Sequence, residues 1–105
     1  MAENDFKSLT LAAEKVKEHC DDLTLKIMML QPFVNFEGWP LGSKEREDAF
    51  ERARGWIEIM TAADCDMLQV GSSDSEGISL DGDVLAKDLA ELADLLDVRG
   101  YRMAY

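Results

Sequence analysis

Gln31, Glu37 and Trp39 fall within nine residues in the stretch QPFVNFEGWP, with Phe33 among them. An amide that donates and accepts, a carboxylate that can carry a proton, and rings that stack are the side chains a pocket for a small polar molecule uses. Farther along, LQVGSS supplies a second amide and two hydroxyls, Gln69, Ser72 and Ser73. These seven residues are the candidate substrate-binding set. The rings have an alternative use: Phe33, Phe36 and Trp39 could instead cap the end of a sheet or pack on the next helix. Gln69 sits inside a strand pattern, and if buried its amide needs a partner.

Other chemistry is poorly supplied. His19 is the only histidine, so neither a catalytic triad nor a histidine metal site can be assembled, and its place near a helix end suits a structural cation. VGSSDSEG has the glycine and serines of an anion loop but lacks the glycine spacing and lysine of a P-loop. DSEGISLDGD is acidic enough to invite a calcium loop. Alignment on Gly77, however, puts Ser72 at the first ligand position and Ser79 where an apolar residue belongs. No catalytic residue and no metal ligand emerges from these patterns.

The candidates need elements to hold them. Leu9, Ala13, Val16 and Cys20 recur at steps of four, three and four, the stripe of an amphipathic helix. Leu23–Leu30 is a nearly unbroken apolar run, too short for a helix and suited to a strand covered on both faces, with Met28 and Met29 as core filler. Ser43 reads as an N-cap ahead of Glu45, Glu47 and Asp48, and Ala49, Phe50, Ala53, Trp56, Ile57 and Met60 follow as one helical face. Asp81 caps a third helix bearing Val84, Leu85, Leu89, Leu92, Ala93 and Leu96, ended by Gly100.

The pattern predicts helices near 8–20, 44–62 and 82–98 and strands near 24–30, 66–71 and 101–105. Strand centres near Ile27, Met67 and Met103 recur at steps of 40 and 36 residues, one strand-plus-helix unit each, so the strands should be parallel. The expected fold is α/β in the order α-β-α-β-α-β. In such folds the loops leaving strand C-termini form the ligand face, and QPFVNFEGWP and GSS open onto one rim.

Composition narrows the function. At 105 residues the chain is at most one domain, and 47% hydrophobic content suits a packed fold over disorder. Its 22 acidic against 11 basic residues give a formal charge of -11, which repels phosphate backbones and anionic lipid, so neither nucleic acid nor a membrane surface is an expected partner. The opening MAENDFKSLT has no basic-then-apolar signal pattern, and Cys20 and Cys65 share no metal spacing. Reduced thiols and a cytoplasmic location are the expectation.

Three stretches, LKIMMLQPFVNFEGWP, RARGWIEIMTAADCDMLQVGSS and DLAELADLLDVRGYRMAY, resemble in order one segment of the xylose-isomerase-like TIM barrels, a superfamily of sugar-phosphate isomerases and epimerases. Within it the sequence is most similar to fungal-type 3-dehydroshikimate dehydratases of quinate catabolism. These share the strand ending in Leu-Gln-Pro-Phe, the aromatic-acid-glycine loop, the tryptophan-bearing helix and the strand with an internal glutamine. The resemblance implies a lyase or isomerase acting on a small polar, carbohydrate-like or shikimate-pathway substrate. It also implies a divalent metal, manganese or magnesium, with a base that removes a proton alpha to a ketone before water leaves.

The family's metal carboxylates begin with a glutamate directly after the strand matched by YRMAY, so no ligand carries over and no metal is expected to bind this chain alone. A closed barrel takes roughly 250 residues and eight strands. Residues 1–105 are therefore expected to form a partial TIM barrel, a fragment or a small protein reusing a barrel segment, inactive by itself. The alternative is a non-catalytic α/β binding or assembly module. Either way the open sheet edges favour self-association.

Overall fold

A computed structural model describes the backbone of residues 3–105 and the side chains from Lys7 onward. Three helices and three strands alternate: α1 (Glu3–Asp22), β1 (Leu30–Phe33), α2 (Lys44–Ala63), β2 (Met67–Val70), α3 (Gly82–Asp97) and β3 (Arg102–Ala104). The strands form one parallel sheet in chain order, with Leu30 opposite Leu68 and Leu68 opposite Met103. This is the expected partial-barrel architecture. No helix among the described residues is long and apolar enough to cross a membrane.

Local chemistry starts the second and third helices. Ser43 Oγ accepts from Arg46 N–H at 3.2 Å, and Asp81 Oδ1 accepts from Asp83 N–H at 2.9 Å, each satisfying an otherwise orphaned first-turn donor. α2 ends at Asp64, which takes a left-handed conformation. Beyond α3, Gly100 adopts φ +71° while Tyr101 N–H returns to the Leu96 carbonyl, the left-handed stop that glycine permits. α2 buries Ala49, Ala53, Ile57, Met60 and Ala63. Met60 and Ile57 from α2 meet Leu68 of β2 and Leu92 and Leu96 of α3 in one core, with Ala49 and Ala53 filling in where little space is left.

Two expectations need correction. β1 starts at Leu30, not near residue 24, and residues 25–29 join no ladder. Leu30 already pairs with Leu68 near the start of β2, so the chain before it overshoots the end of its neighbour and has nothing to bond. Leu25, Met28 and Met29 are accordingly 59%, 71% and 38% exposed, so neither methionine is core filler. α1 also begins earlier than residue 8 and buries a different side. Thr10, Ala13, Lys17 and Cys20 are half-buried, whereas Leu9 and Val16 are exposed. The helix packs on α2, and Leu9 and Val16 are left 40% and 54% exposed.

Alternation along the strands decides which groups reach the ligand side. Leu68 and Val70 are buried against the helices, so Gln69 between them projects from the opposite face, where Gln31 is also exposed. In a closed barrel that open face becomes the interior.

Candidate functional site

The loop after β1 is pinned to the loop after β2 at several points. Phe33 O accepts from Gly71 N–H at 2.8 Å, and Gly38 O accepts from Ser79 N–H at 2.7 Å. Asn35 Oδ1 accepts from Asp74 N–H at 3.2 Å and from Ser75 Oγ at 2.9 Å. The Asn35 carbonyl accepts from Trp39 Nε1 at 2.9 Å and Arg52 Nη2 at 3.0 Å. Gly38 makes the closeness possible: at φ +99°, an added Cβ would lie 3.0 Å from Ile78 Cβ and from Leu85 Cδ2.

Glu37 is the centre of the rim. Its side chain is buried, with 1% of the residue exposed. Ser73 Oγ lies 2.6 Å from Oε1 and 2.7 Å from the Glu37 carbonyl, and Tyr105 Oη donates to Oε2 at 2.8 Å. One carboxylate therefore ties together the segments that follow β1, β2 and β3. Burial by itself pushes the Glu37 carboxyl up. The hydrogen bonds from Ser73, Tyr105 and the backbone of Glu37 and Ser73 together outweigh it and hold the group below the usual glutamate range. It is ionised at neutral pH with both oxygens engaged, which suits an anchor that orients two hydroxyls better than a base awaiting a proton.

That depression has a testable sign. The folded chain takes up the Glu37 proton less readily than the unfolded chain, so the carboxylate's contribution is complete above the ordinary glutamate value of about 4.3. It is lost as the pH falls through the lower folded value. The difference in unfolding free energy between wild type and Glu37→Gln should narrow as the pH falls below the ordinary glutamate value and through the lower folded one. A difference that stays constant as the carboxylate is protonated would remove Glu37 ionisation from the stability of the rim.

A second buried carboxylate holds the same loop from behind. Asp88 Oδ2 accepts from Gly38 N–H at 2.9 Å and its Oδ1 from Arg46 Nη1 at 2.8 Å, while Arg46 Nη2 reaches Glu91 at 2.9 Å. The Arg46 guanidinium also lies 4.9 Å from the Phe50 ring centroid. The sequence does carry a signal for Asp88: helical spacing sets it on the face of Leu85, Leu89 and Leu92, where a carboxylate needs partners. Tyr105 and Asn35 had no comparable local signal.

Of the seven candidates, the structure brings Glu37 and Ser73 into contact. Gln31 and Gln69 share the open sheet face, and Ser72 is exposed next to Ser73. Phe33 is fully buried, 5.8 Å from the Phe36 ring and 5.5 Å from Trp56, so it serves the core, the alternative use of these rings. Trp39 lines a groove toward α3 that Glu37 and Ser73 do not enter. Among the described residues no cluster of three or more histidine, cysteine or acidic side chains is placed to hold a metal. The buried acidic side chains among them, Glu37 and Asp88, are each taken up by protein donors and do not form a divalent-cation site.

Parallel strands joined by helices, with polar groups gathered where the strands end, define a (βα) barrel segment. The chain belongs to the xylose isomerase-like TIM barrel family, whose model matches residues 2–105. It is similar to the 3-dehydroshikimate dehydratase of Pseudomonas aeruginosa, 33% identical over 103 residues, and to that of Pseudomonas putida, 28% identical over 103 residues. Each alignment covers 98% of this chain, and the chain spans 16% of the length of each relative. A solved xylose isomerase-like TIM barrel/4-hydroxyphenylpyruvate dioxygenase fusion protein superposes with a TM-score of 0.80 at 27% identity, over 87% of this chain and 14% of that one.

Proposed function

We propose that residues 1–105 supply one wall of the substrate pocket of a 3-dehydroshikimate dehydratase-type barrel, a carbon–oxygen lyase, and that these residues alone do not catalyse the reaction. The observation that carries this reading is the Glu37–Ser73–Tyr105 cluster at the strand ends. It fixes two hydroxyl oxygens beside the face that carries Gln31 and Gln69. Hydroxyls and amides together suit a substrate rich in hydroxyl and carbonyl groups. Loss of water alpha, beta to a ketone needs stabilisation of a developing enolate, and removing such help costs several kcal/mol or orders of magnitude in rate. The carboxylates that would hold a divalent metal for that task have no counterpart in this cluster.

The test is to add 3-dehydroshikimate to the purified chain, with and without manganese, while recording backbone amide spectra and substrate consumption. Saturable shifts at Gln31, Gln69, Ser73 and Tyr105 with no consumption are expected. Metal-dependent turnover would overturn the inactive half of the proposal. Unmoved amides would overturn the pocket half and favour a second reading, an assembly module. That reading is supported by the exposed Leu25 and Met28 beside an uncovered sheet face.

A further inference from the structure

The loop that presents Glu37 on one side presents Trp39 on the other, and there a groove of about 500 Å³ opens between this loop, residues 77–79 and α3. Its volume falls within the range of small-molecule sites, roughly 300–1,000 Å³. None of Glu37, Ser73 and Tyr105 lines it. We propose that this groove is a second binding site, for a flat, mainly apolar small molecule carrying a single carboxylate.

Three observations carry the assignment. The walls are apolar and one is fixed: Trp39 is held by its indole N–H on the Asn35 carbonyl, with Ile78 also lining the groove. The position a Gly77 Cβ would take lies 4.0 Å from the Trp39 ring, so ring and loop backbone are close neighbours. Leu41 and Val84 line the groove yet are 81% and 38% exposed, leaving apolar surface that a ligand would cover. The third observation is charge. Arg46 is occupied by Asp88 and Glu91, whereas Lys87 lines the groove with no hydrogen bond or ion pair to any described residue. One free ammonium matches one carboxylate. The charged residues that line the groove are Arg46, Asp88 and Lys87, one net positive charge, so a dianion would exceed what the lining compensates in a chain of formal charge -11.

The probe is 1-naphthoate, with neutral 1-naphthamide as its control, titrated into the intact chain and followed at the Gly77, Ile78 and Ser79 amides and the Trp39 indole N–H. Naphthoate should produce saturable shifts at these positions. Lys87→Gln should weaken naphthoate about three- to fivefold, as loss of a solvent-exposed ion pair does, and leave naphthamide unchanged. Val84→Glu, a change at an exposed position, should abolish binding of both without unfolding the chain. The proposal is overturned if naphthoate gives no saturable shifts, if the shifts fall on Met28 and Gln69 instead, or if Lys87→Gln affects naphthoate and naphthamide alike.

Discussion

Asp88→Ala is expected to lower the unfolding free energy by about 3 kcal/mol, a large share of the roughly 5–15 kcal/mol of a typical domain. Asp88 is 3% exposed and satisfies two groups at once, the Gly38 N–H and the Arg46 guanidinium. Alanine leaves a buried amide without an acceptor and a mostly buried guanidinium with only Glu91, and stranding a buried charge costs far more than an intact pair contributes. Asp88→Asn keeps an acceptor for Gly38 while removing the charge, so it should lose roughly half as much. Urea midpoints measure both. A loss under about 1 kcal/mol for Asp88→Ala would mean that solvent replaces the clamp.

Phe33→Ala is the second large effect, an expected loss of about 3–5 kcal/mol. The ring has no exposed surface. It sits among Phe36 and Trp56, with the Arg52 guanidinium 5.4 Å from its centroid. Removing it opens a cavity that a three-stranded sheet and two packed helices can only partly collapse around, whereas Phe33→Leu should cost well under half as much. Chemical denaturation with near-ultraviolet dichroism reads the outcome. A rim residue would show the opposite pattern, near-neutral stability for alanine with weakened ligand binding.

What could be read from the sequence divides according to how far apart the interacting groups are. The starts of α2 and α3 were legible because Ser43 and Asp81 bond to amides two or three residues away. The parallel order was legible because the spacing of apolar runs fixes what can connect them. The extent of β1 was not, since it depends on where β2 begins. An apolar run from Leu23 to Leu30 reads the same whether or not a neighbour is present to pair with it. Leu9 and Val16 misled for a related reason: periodicity reports an apolar face, not whether anything packs on it. At the site, residue type alone selected Glu37 and Ser73, 36 positions apart. Tyr105 lies 68 positions from the carboxylate it meets and Asp88 lies 50 from Gly38, so the fold had to be known before either contact could be.

The bonds between the loops after β1 and β2 have a consequence for engineering and for divergence. Residues 34–42 and 71–81 behave as a single cassette. Asn35 supplies acceptors to Asp74, Ser75, Trp39 and Arg52, and Gly38 leaves no room for a side chain against Ile78. A graft of either loop alone from a relative with a different specificity would arrive without its complementary half. New specificities in this scaffold therefore have to be exchanged two loops at a time, with Arg52 and Asp88 travelling alongside.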